Sequence, residues 1–511
     1  MNSSFAAIDW IIFASYFIVL IVSSVLLSRT RIENSRDYFV GGNSMPMWAV
    51  AISVLATTQS AATFLGGPEY AFRNDLTFLG FYLSAFFAVI FVARVLIPRF
   101  YAIKAVTVYE LLETRYGSSA KKNAGMMFLI GRLFASGARL YIGALAISMI
   151  LFMDIAAYHV ALSILILVIG ALAYTYFGGV KSIIYSDVIQ ALTYISAALV
   201  VLFYLYYSLN SDFSTVLYTL AADDKLRLLD FKLDFLSTGS FNVWGLMSGW
   251  LLLNIAAYGM DQDMTQRVLS CRDKKEGERA IIISVLMTIP VVLLFMLIGL
   301  LLYLYYEHPE LSGFANGVDQ QFEGQKITIL MYYILNEMPE GVRGFVTVGA
   351  IAAALSSTNS VLGAMSSVAI EDLYKPWKLK QGKVSEFHFV KAARAGVLLF
   401  ALLLSIMAMI SYFWQRYTDL PLLNFALGVM AFAYSGLLGV YFSAIFTSRG
   451  SSKSVLFALI GGFMTVLFMQ PYILGMITDF KVGFAWQIVI GTLVSFAIMQ
   501  SSSGAGGGEN V

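Results

Sequence analysis

Ala352-Ala-Ala-Leu-Ser-Ser-Thr-Asn-Ser-Val-Leu-Gly-Ala-Met-Ser-Ser-Val-Ala-Ile-Glu-Asp-Leu-Tyr374 reads as a helix of small residues with a hydroxyl-rich patch at its centre. Ala353, Ser356 and Ser357 stand at i, i+3 and i+4 and so share one face. Two hydroxyls and the Ala353 carbonyl offer three oxygens to a hard monovalent cation. A serine that bonds back onto its own helix also draws an i−4 carbonyl off the axis. Neutral oxygens suit Na+, whereas a cage of carboxylates would draw Ca2+. Small residues also let helices pack closely in lipid, so the patch needs a partner before it counts as a site.

That partner lies upstream. The span beginning near Met47 contains Ser53-Val-Leu-Ala-Thr-Thr-Gln-Ser60, then Thr63, then Gly66-Gly-Pro-Glu69. Proline removes a backbone donor and the paired glycines loosen the ladder, which predicts a break here with carbonyls freed at membrane depth. The carbonyls of Ala56 and Gln59 would bring the neutral oxygens to five. A second span, near 251–267, holds Asn254, Gly259, Asp261, Gln262 and Asp263. Two polar, breakable helices in corresponding places of two halves point to the binding site of an inverted-repeat transporter.

Composition supplies the membrane. Of 511 residues, 59% are hydrophobic and 13% charged, against about a quarter charged in an ordinary soluble domain. Apolar runs such as 11–27, 81–97 and 281–306 are long enough to cross a bilayer as helices and too unalternating for barrel strands. Runs and breaks predict an all-α polytopic membrane protein of about thirteen transmembrane helices, over 8–28, 46–73, 77–98, 122–152, 157–177, 185–208, 240–265, 278–306, 343–371, 389–412, 421–446, 453–470 and 479–500. Lys and Arg collect in alternate loops, among them Arg29, Arg31 and Arg36, then Arg267, Arg272, Lys274 and Lys275, then Lys375 to Lys383. The intervening loops carry acids such as Asp223, Asp224, Glu307 and Glu310. This alternation predicts a multi-pass protein of the cell inner membrane with its N-terminus outside and its C-terminus cytoplasmic.

Other classes find little support. A net charge of +2 gives no reason to expect nucleic acid, and the single cysteine, Cys271, excludes an internal disulfide or a cysteine metal cluster. His159, His308 and His388 are scattered near predicted helix ends. The first ten residues lack a basic leader, so the first span is expected to be retained. The polar stretches 210–236 and 307–326 are too short for a catalytic domain, and 327–335 is expected to lie at the interface as an amphipathic piece. No motif pairs a nucleophile with a base, so an enzyme is not expected.

The motifs, in this order, make the chain similar to the sodium/solute symporter family of bacterial galactose, proline and sialic acid symporters and animal glucose and iodide transporters. They are Asp37-Tyr-Phe-Val-Gly-Gly42, Ser53–Ser60 as quoted, Thr107-Val-Tyr-Glu-Leu-Leu-Glu-Thr-Arg115, Tyr174-Thr-Tyr-Phe-Gly-Gly-Val180, Ser186-Asp-Val-Ile-Gln190, Asp261-Gln-Asp-Met-Thr-Gln-Arg267 and the serine helix. The likeness runs to about Gln500 and is nearest to the sialic acid type. It implies the leucine-transporter fold: inverted five-helix repeats over 46–208 and 240–446, an extra helix and cytoplasmic loop over 1–45, an extracellular loop over 209–239 and two C-terminal helices over 447–500; the Gly- and Ser-rich composition of 501–511 reads separately as a flexible tail.

The likeness also implies residue roles. Ala56, Gln59, Ala353, Ser356 and Ser357 match the common Na+ site. Asp187, Ser356, Asn359 and Ser360 stand where the sialic acid type holds a second Na+, although Asn359 departs from its hydroxyl pattern. Thr58, Ser60 and Thr63 resemble the sialic acid type's solute-binding stretch, and Asn254 matches a sugar-contacting asparagine of the galactose symporter. Phe81 stands where the sialic acid type has a glutamine. Tyr258 and Asp261 complete the candidate solute site with Arg132 and Arg139, which lie seven apart on one helix face. An intramembrane arginine is costly and by default functional. Either could clamp a carboxylate bidentately, or be paired with an acid such as Asp187 or snorkelled to the surface. The expectation is Na+-coupled symport of a sugar acid, other carboxylate or sugar into the cell by alternating access, working as a monomer in the lipid bilayer. Proton coupling through Asp187 and a transporter-like solute sensor are the alternatives.

Overall fold

The computed structural model describes residues 5–27, 32–235, 241–314, 318–418 and 422–502. Arg29 and Arg31 of the first basic loop and residues 503–511 of the tail lie outside them. Backbone polar groups in hydrocarbon must be satisfied within the chain, and helices do this along most of the described sequence. Those that matter for the site are α1 (Ala7–Leu27), α2 (Ser35–Val40), α3 (Met47–Thr58), α4 (Ala61–Arg73), α5 (Leu79–Ala102), α6 (Ser118–Phe152), α7 (Ala157–Ser208), α8 (Val243–Gly259) and α9 (Gln262–Val268). They continue with α10 (Lys274–Glu307), α11 (Ile329–Asn336), α12 (Val342–Leu379), α13 (Glu386–Tyr417), α14 (Leu422–Phe446), α15 (Ser452–Phe468) and α16 (Phe484–Gln500).

Among the described residues, eight helices are long and apolar enough to cross a membrane, or ten when each bent pair counts as one span. The 52 residues of α7 would extend more than twice the hydrocarbon thickness if straight. The helix turns at Gly179, at φ 57°, where an added Cβ would lie 2.4 Å from the Tyr38 carbonyl oxygen, so glycine alone fits. Dividing α7 there, and counting the two 17-residue apolar helices α15 and α16, gives the expected thirteen.

The first polar span breaks at Gln59 and Ser60, upstream of Gly66-Gly67-Pro68. Both residues adopt extended backbone, the Ser60 hydroxyl accepts the Thr63 N–H to cap α4, and the two axes bend by 65°. Gly66, Gly67 and Pro68 continue inside α4, contrary to the expectation that they would interrupt the span. Gly67 and Pro68 are closely packed: a Cβ on Gly67 would meet Phe295 at 3.3 Å, and one on Gly299 would meet the Pro68 carbonyl oxygen at 2.2 Å. α8 and α9 bend by 57° at Asp261, whose carboxylate accepts the Asp263 N–H at 2.9 Å. Each bent pair thus opens a series of five spans. α12 lies innermost, with 89% of its most apolar window buried against 22% for α1, and it packs along α7.

Residues 327–335 do not lie at the interface. Ile329, Leu330, Tyr333 and Ile334 of α11 are all buried, because the helix is apolar on every side and is drawn into the protein. Glu69 of α4 accepts its Ile329 N–H at 2.6 Å.

α1 is fastened to α12 by one carboxylate. Buried Asp9 accepts the N–H groups of Gly341 at 2.7 Å and Gly344 at 2.8 Å, an anion at the positive end of a helix it does not belong to. Asp9→Ala is expected to destabilise the fold by about 2–3 kcal/mol. The melting temperature of the detergent-solubilised chain checks this, with Asp9→Asn recovering part of the loss.

Candidate functional site

α3 ends at Thr58, and the extended backbone that follows leaves the carbonyls after Leu55 without backbone donors from their own helix. Ala56 and Gln59, both buried, lie at this end. α12 passes beside it, and the Thr57 hydroxyl lies 3.1 Å from that of Ser360. Ala353 and Ser356 are buried on α12, and half-buried Ser357 borders a cavity. The Ser357 hydroxyl donates to the Ala354 carbonyl at 3.0 Å, the back-bonding that loosens a helix. Ser356 donates instead to Asp187 Oδ1 at 3.1 Å. Among the described residues no group of three His, Cys, Asp or Glu could hold a metal ion. The oxygens at the α3 break itself are neutral, with one carboxylate, Asp187, behind Ser356, a set that suits a monovalent cation better than a divalent one.

Behind this patch runs a buried chain of alternating charge. Arg132 of α6 donates to Asp261 Oδ2 at 2.5 Å and lies 3.5 Å from Asp263 Oδ2, and the Tyr434 hydroxyl bonds to the same Asp261 oxygen. Arg267 of α9 donates to the Asp263 carbonyl at 2.6 Å, to Ser360 Oγ at 2.6 Å and to Ser53 Oγ at 2.8 Å, and lies 3.3 Å from Asp187 Oδ2. Ser53 also donates to Asp187 at 2.5 Å. All five charged groups are buried. A buried charge must be paired and hydrogen-bonded to be tolerated, and each of these is. At formal charge the chain holds three carboxylates and two guanidinium groups, leaving one negative charge over.

Arg139, two turns from Arg132, makes no hydrogen bond or ion pair among the described residues and is exposed to the cavity. This separates the two arginines: Arg132 is a structural counter-ion of Asp261 and Asp263, and does not pair with Asp187. The cavity, largely enclosed and about 270 Å3, is bordered by Thr58, Phe81, Arg132, Arg139, Asn254 and Tyr258 of the expected solute residues. Asn254 donates to Ser84 Oγ at 2.9 Å and to the Phe81 carbonyl at 3.3 Å, which leaves its carbonyl oxygen as an acceptor. Phe81 meets Trp250 edge to face at 5.5 Å.

Three expected residues are not in the lining. Ser60 and Thr63 are occupied with each other as the cap of α4, and Asp261 sits behind Arg132. Conversely, Thr57, Ser136, Asp263, Thr358 and Tyr434 line the cavity without having been expected. Ser136 was within reach, lying on the face shared by Arg132 and Arg139, and Asp263 was within reach as part of an interrupted polar span. Tyr434 carried no signal. Asp187, Ser356 and Ser360 are brought together as expected, but the Arg267 guanidinium stands among them, and the amide nitrogen of Asn359 points to Ser186 and Gln190 at 3.5 Å.

Residues 38–465 match the sequence profile of the sodium:solute symporter family. The sodium/sialic acid symporter SiaT of Proteus mirabilis is 28% identical over 476 residues, 91% of this chain and 89% of that protein. Sodium-coupled monocarboxylate transporter 2 of Mus musculus is 26% identical over 379 residues, 73% of this chain and 58% of that one. The solved structure of a Na+-coupled sialic acid symporter in a substrate-bound outward-open state superimposes with a TM-score of 0.82 at 25% identity, covering 97% of both chains.

Proposed function

Because the chain belongs to the sodium:solute symporter family and is a multi-pass membrane transporter of the leucine-transporter fold that couples a small organic solute to Na+, we propose that its solute is a carboxylate held by Arg139. The observation that carries this is a guanidinium with no hydrogen bond or ion pair among the described residues, in a cavity whose other arginine is paired with Asp261. Asn254 and Thr58 supply polar contacts in the same lining, and Phe81 and Tyr258 supply the apolar faces expected of such pockets. The names of the relatives agree, since sialic acid and monocarboxylates both carry the group that a guanidinium fork fits.

Na+ binds beside this cavity through the carbonyls of Ala56, Gln59 and Ala353 and the hydroxyls of Ser356 and Ser357. Releasing Ser357 from its bond to Ala354 turns its hydroxyl to the ion, and the ion then draws the α3 break to α12. Thr57 and Thr58, on that same break, become fixed as the solute arrives, so ion and solute each raise the other's affinity. A single Na+ is carried in each cycle, because Arg267 already neutralises the Asp187, Ser356 and Ser360 cluster. The two series of five spans, over 46–208 and 240–446, form inverted repeats. Residues 1–45, the loop 209–239 and the two helices within 447–500 lie outside them. The basic loops support an N-terminus outside and a cytoplasmic C-terminus, and the reading takes the chain as a monomer in the inner membrane that carries solute inward.

Uptake of labelled sugar acids and monocarboxylates into proteoliposomes tests the whole reading. An inward Na+ gradient is expected to drive accumulation that a K+ gradient does not. Ser357→Ala is expected to raise the Na+ concentration for half-maximal uptake on the order of tenfold, one lost charge-assisted contact. Accumulation indifferent to Na+, or driven by a pH gradient without it, would overturn the reading.

A further inference from the structure

A second cavity, open and about 690 Å3, lies where the loop before α3, the end of α5 and the loop joining α9 to α10 come together. Arg36, Lys104, Arg272 and Lys274 line it, with Asp273 as the only acidic residue of the lining. That carboxylate is occupied, accepting the Glu276 N–H at 2.9 Å to cap α10. None of the four cations has a carboxylate within ion-pair distance among the described residues. Arg36 bonds to neutral acceptors alone, Asn43 Oδ1 at 3.1 Å and the Lys104 carbonyl at 2.7 Å. The second of these bonds holds Lys104 at φ 53°, a conformation costly for a long side chain. Four cations are therefore gathered around one cavity against a single carboxylate in its lining, and among the described residues none of the four is ion-paired.

The position names the counter-ion. α5 ends its apolar span at Ala102, and α10 opens with the charged turns 274–279 before its apolar run 281–306, so the cavity lies at the charged margin of two spans, the level of headgroups rather than hydrocarbon. Its remaining wall is apolar and aromatic, with Pro98, Phe100 and Leu269. We infer that this cavity binds the phosphate of an anionic phospholipid headgroup, clamped by the guanidinium forks of Arg36 and Arg272 with Lys104 and Lys274 as point charges. The inference goes beyond the symport reading and needs only that the chain spans a membrane.

The binding would reach the transport site mechanically. Asn43 Nδ2 donates to the Leu269 carbonyl at 2.5 Å and the Met45 N–H to the Ser270 carbonyl at 3.0 Å. These bonds lace the segment leading into α3 to the segment leaving α9. A phosphate shared by Arg36 and Arg272 adds a further tie between the two bent pairs, so headgroup charge sets how readily they part.

The test uses the full-length chain in nanodiscs of phosphatidylcholine with a minority of phosphatidylglycerol, counting phosphatidylglycerol retained after detergent extraction by native mass spectrometry. Lys104→Gln/Arg272→Gln is expected to retain on the order of tenfold less. Lys380→Gln/Lys383→Gln, which removes the same charge from exposed positions outside the cavity, is expected to retain as much as the native chain. Equal retention by all three, or equal loss in both variants, would overturn the inference. A competition on the native chain needs no variant: millimolar inorganic phosphate is expected to leave the lipid in place, and its displacement would transfer the site to free phosphate. Because lipid is counted rather than transport, failure here is distinct from failure of Na+ coupling.

Discussion

Arg139→Gln is expected to lower uptake of a carboxylated solute on the order of 100-fold, through loss of a desolvated charge pair worth about 3 kcal/mol. Arg139 is the cavity cation that makes no ion pair among the described residues. Glutamine keeps most of its length and two donors but removes the charge and the fork. The discriminating measurement is competition between an acid and its amide. The native chain should prefer the acid strongly, and Arg139→Gln should treat the two nearly alike. Arg132→Gln should behave otherwise: it strands Asp261 and Asp263 in the interior, so the loss appears first in the melting temperature. Unchanged preference for the acid in Arg139→Gln would remove the carboxylate from the proposal.

The two arginines show what could be read from sequence and what could not. Their spacing on one helix face was visible, and with it the likelihood of a charged solute or a charged partner. The choice between them depends on acids contributed by α9, some 130 positions later in the chain, which no local pattern reveals. The break in the first bent span was legible as a region only. Gly66-Gly67-Pro68 carries the stronger breaking propensity, yet close packing on Gly299 and Phe295 keeps it helical, while Ser60, a weaker signal, caps a new helix. Tertiary contact decided both cases. The long apolar runs were the opposite kind of signal: hydrocarbon leaves a backbone no alternative to a helix, so span positions followed from composition. α11 marks the limit of that logic, since an apolar segment of eight residues fits an interface or a protein interior equally well until its neighbours are known.

Asp187 should give the other large effect. Its carboxylate receives Ser53 from α3, Ser356 from α12 and Arg267 from α9, so it joins three elements to α7. Asp187→Asn leaves Arg267 with Asp263 as its sole carboxylate partner and is expected to destabilise the chain by about 3–5 kcal/mol. Arg267→Gln alone should cost a similar amount. The double variant should cost clearly less than the two together, because the charge each leaves stranded is then gone; additive losses would mean that the pair is not a unit. The proposed ion count has its own test. In the native chain Arg267 occupies Asp187 and Ser360; if one Na+ accompanies one carboxylate, as proposed, the cargo carries no net charge and uptake is expected to be insensitive to membrane potential. Arg267→Gln vacates a carboxylate flanked by Ser356 and Ser360 and opens a place for a second Na+. Cargo with one net positive charge then feels about 2.3 kcal/mol per 100 mV, and an inside-negative potential should raise accumulation on the order of 50-fold. Potential-driven carboxylate uptake by the native chain would show that a second ion already enters, and that Arg267 moves aside to admit it.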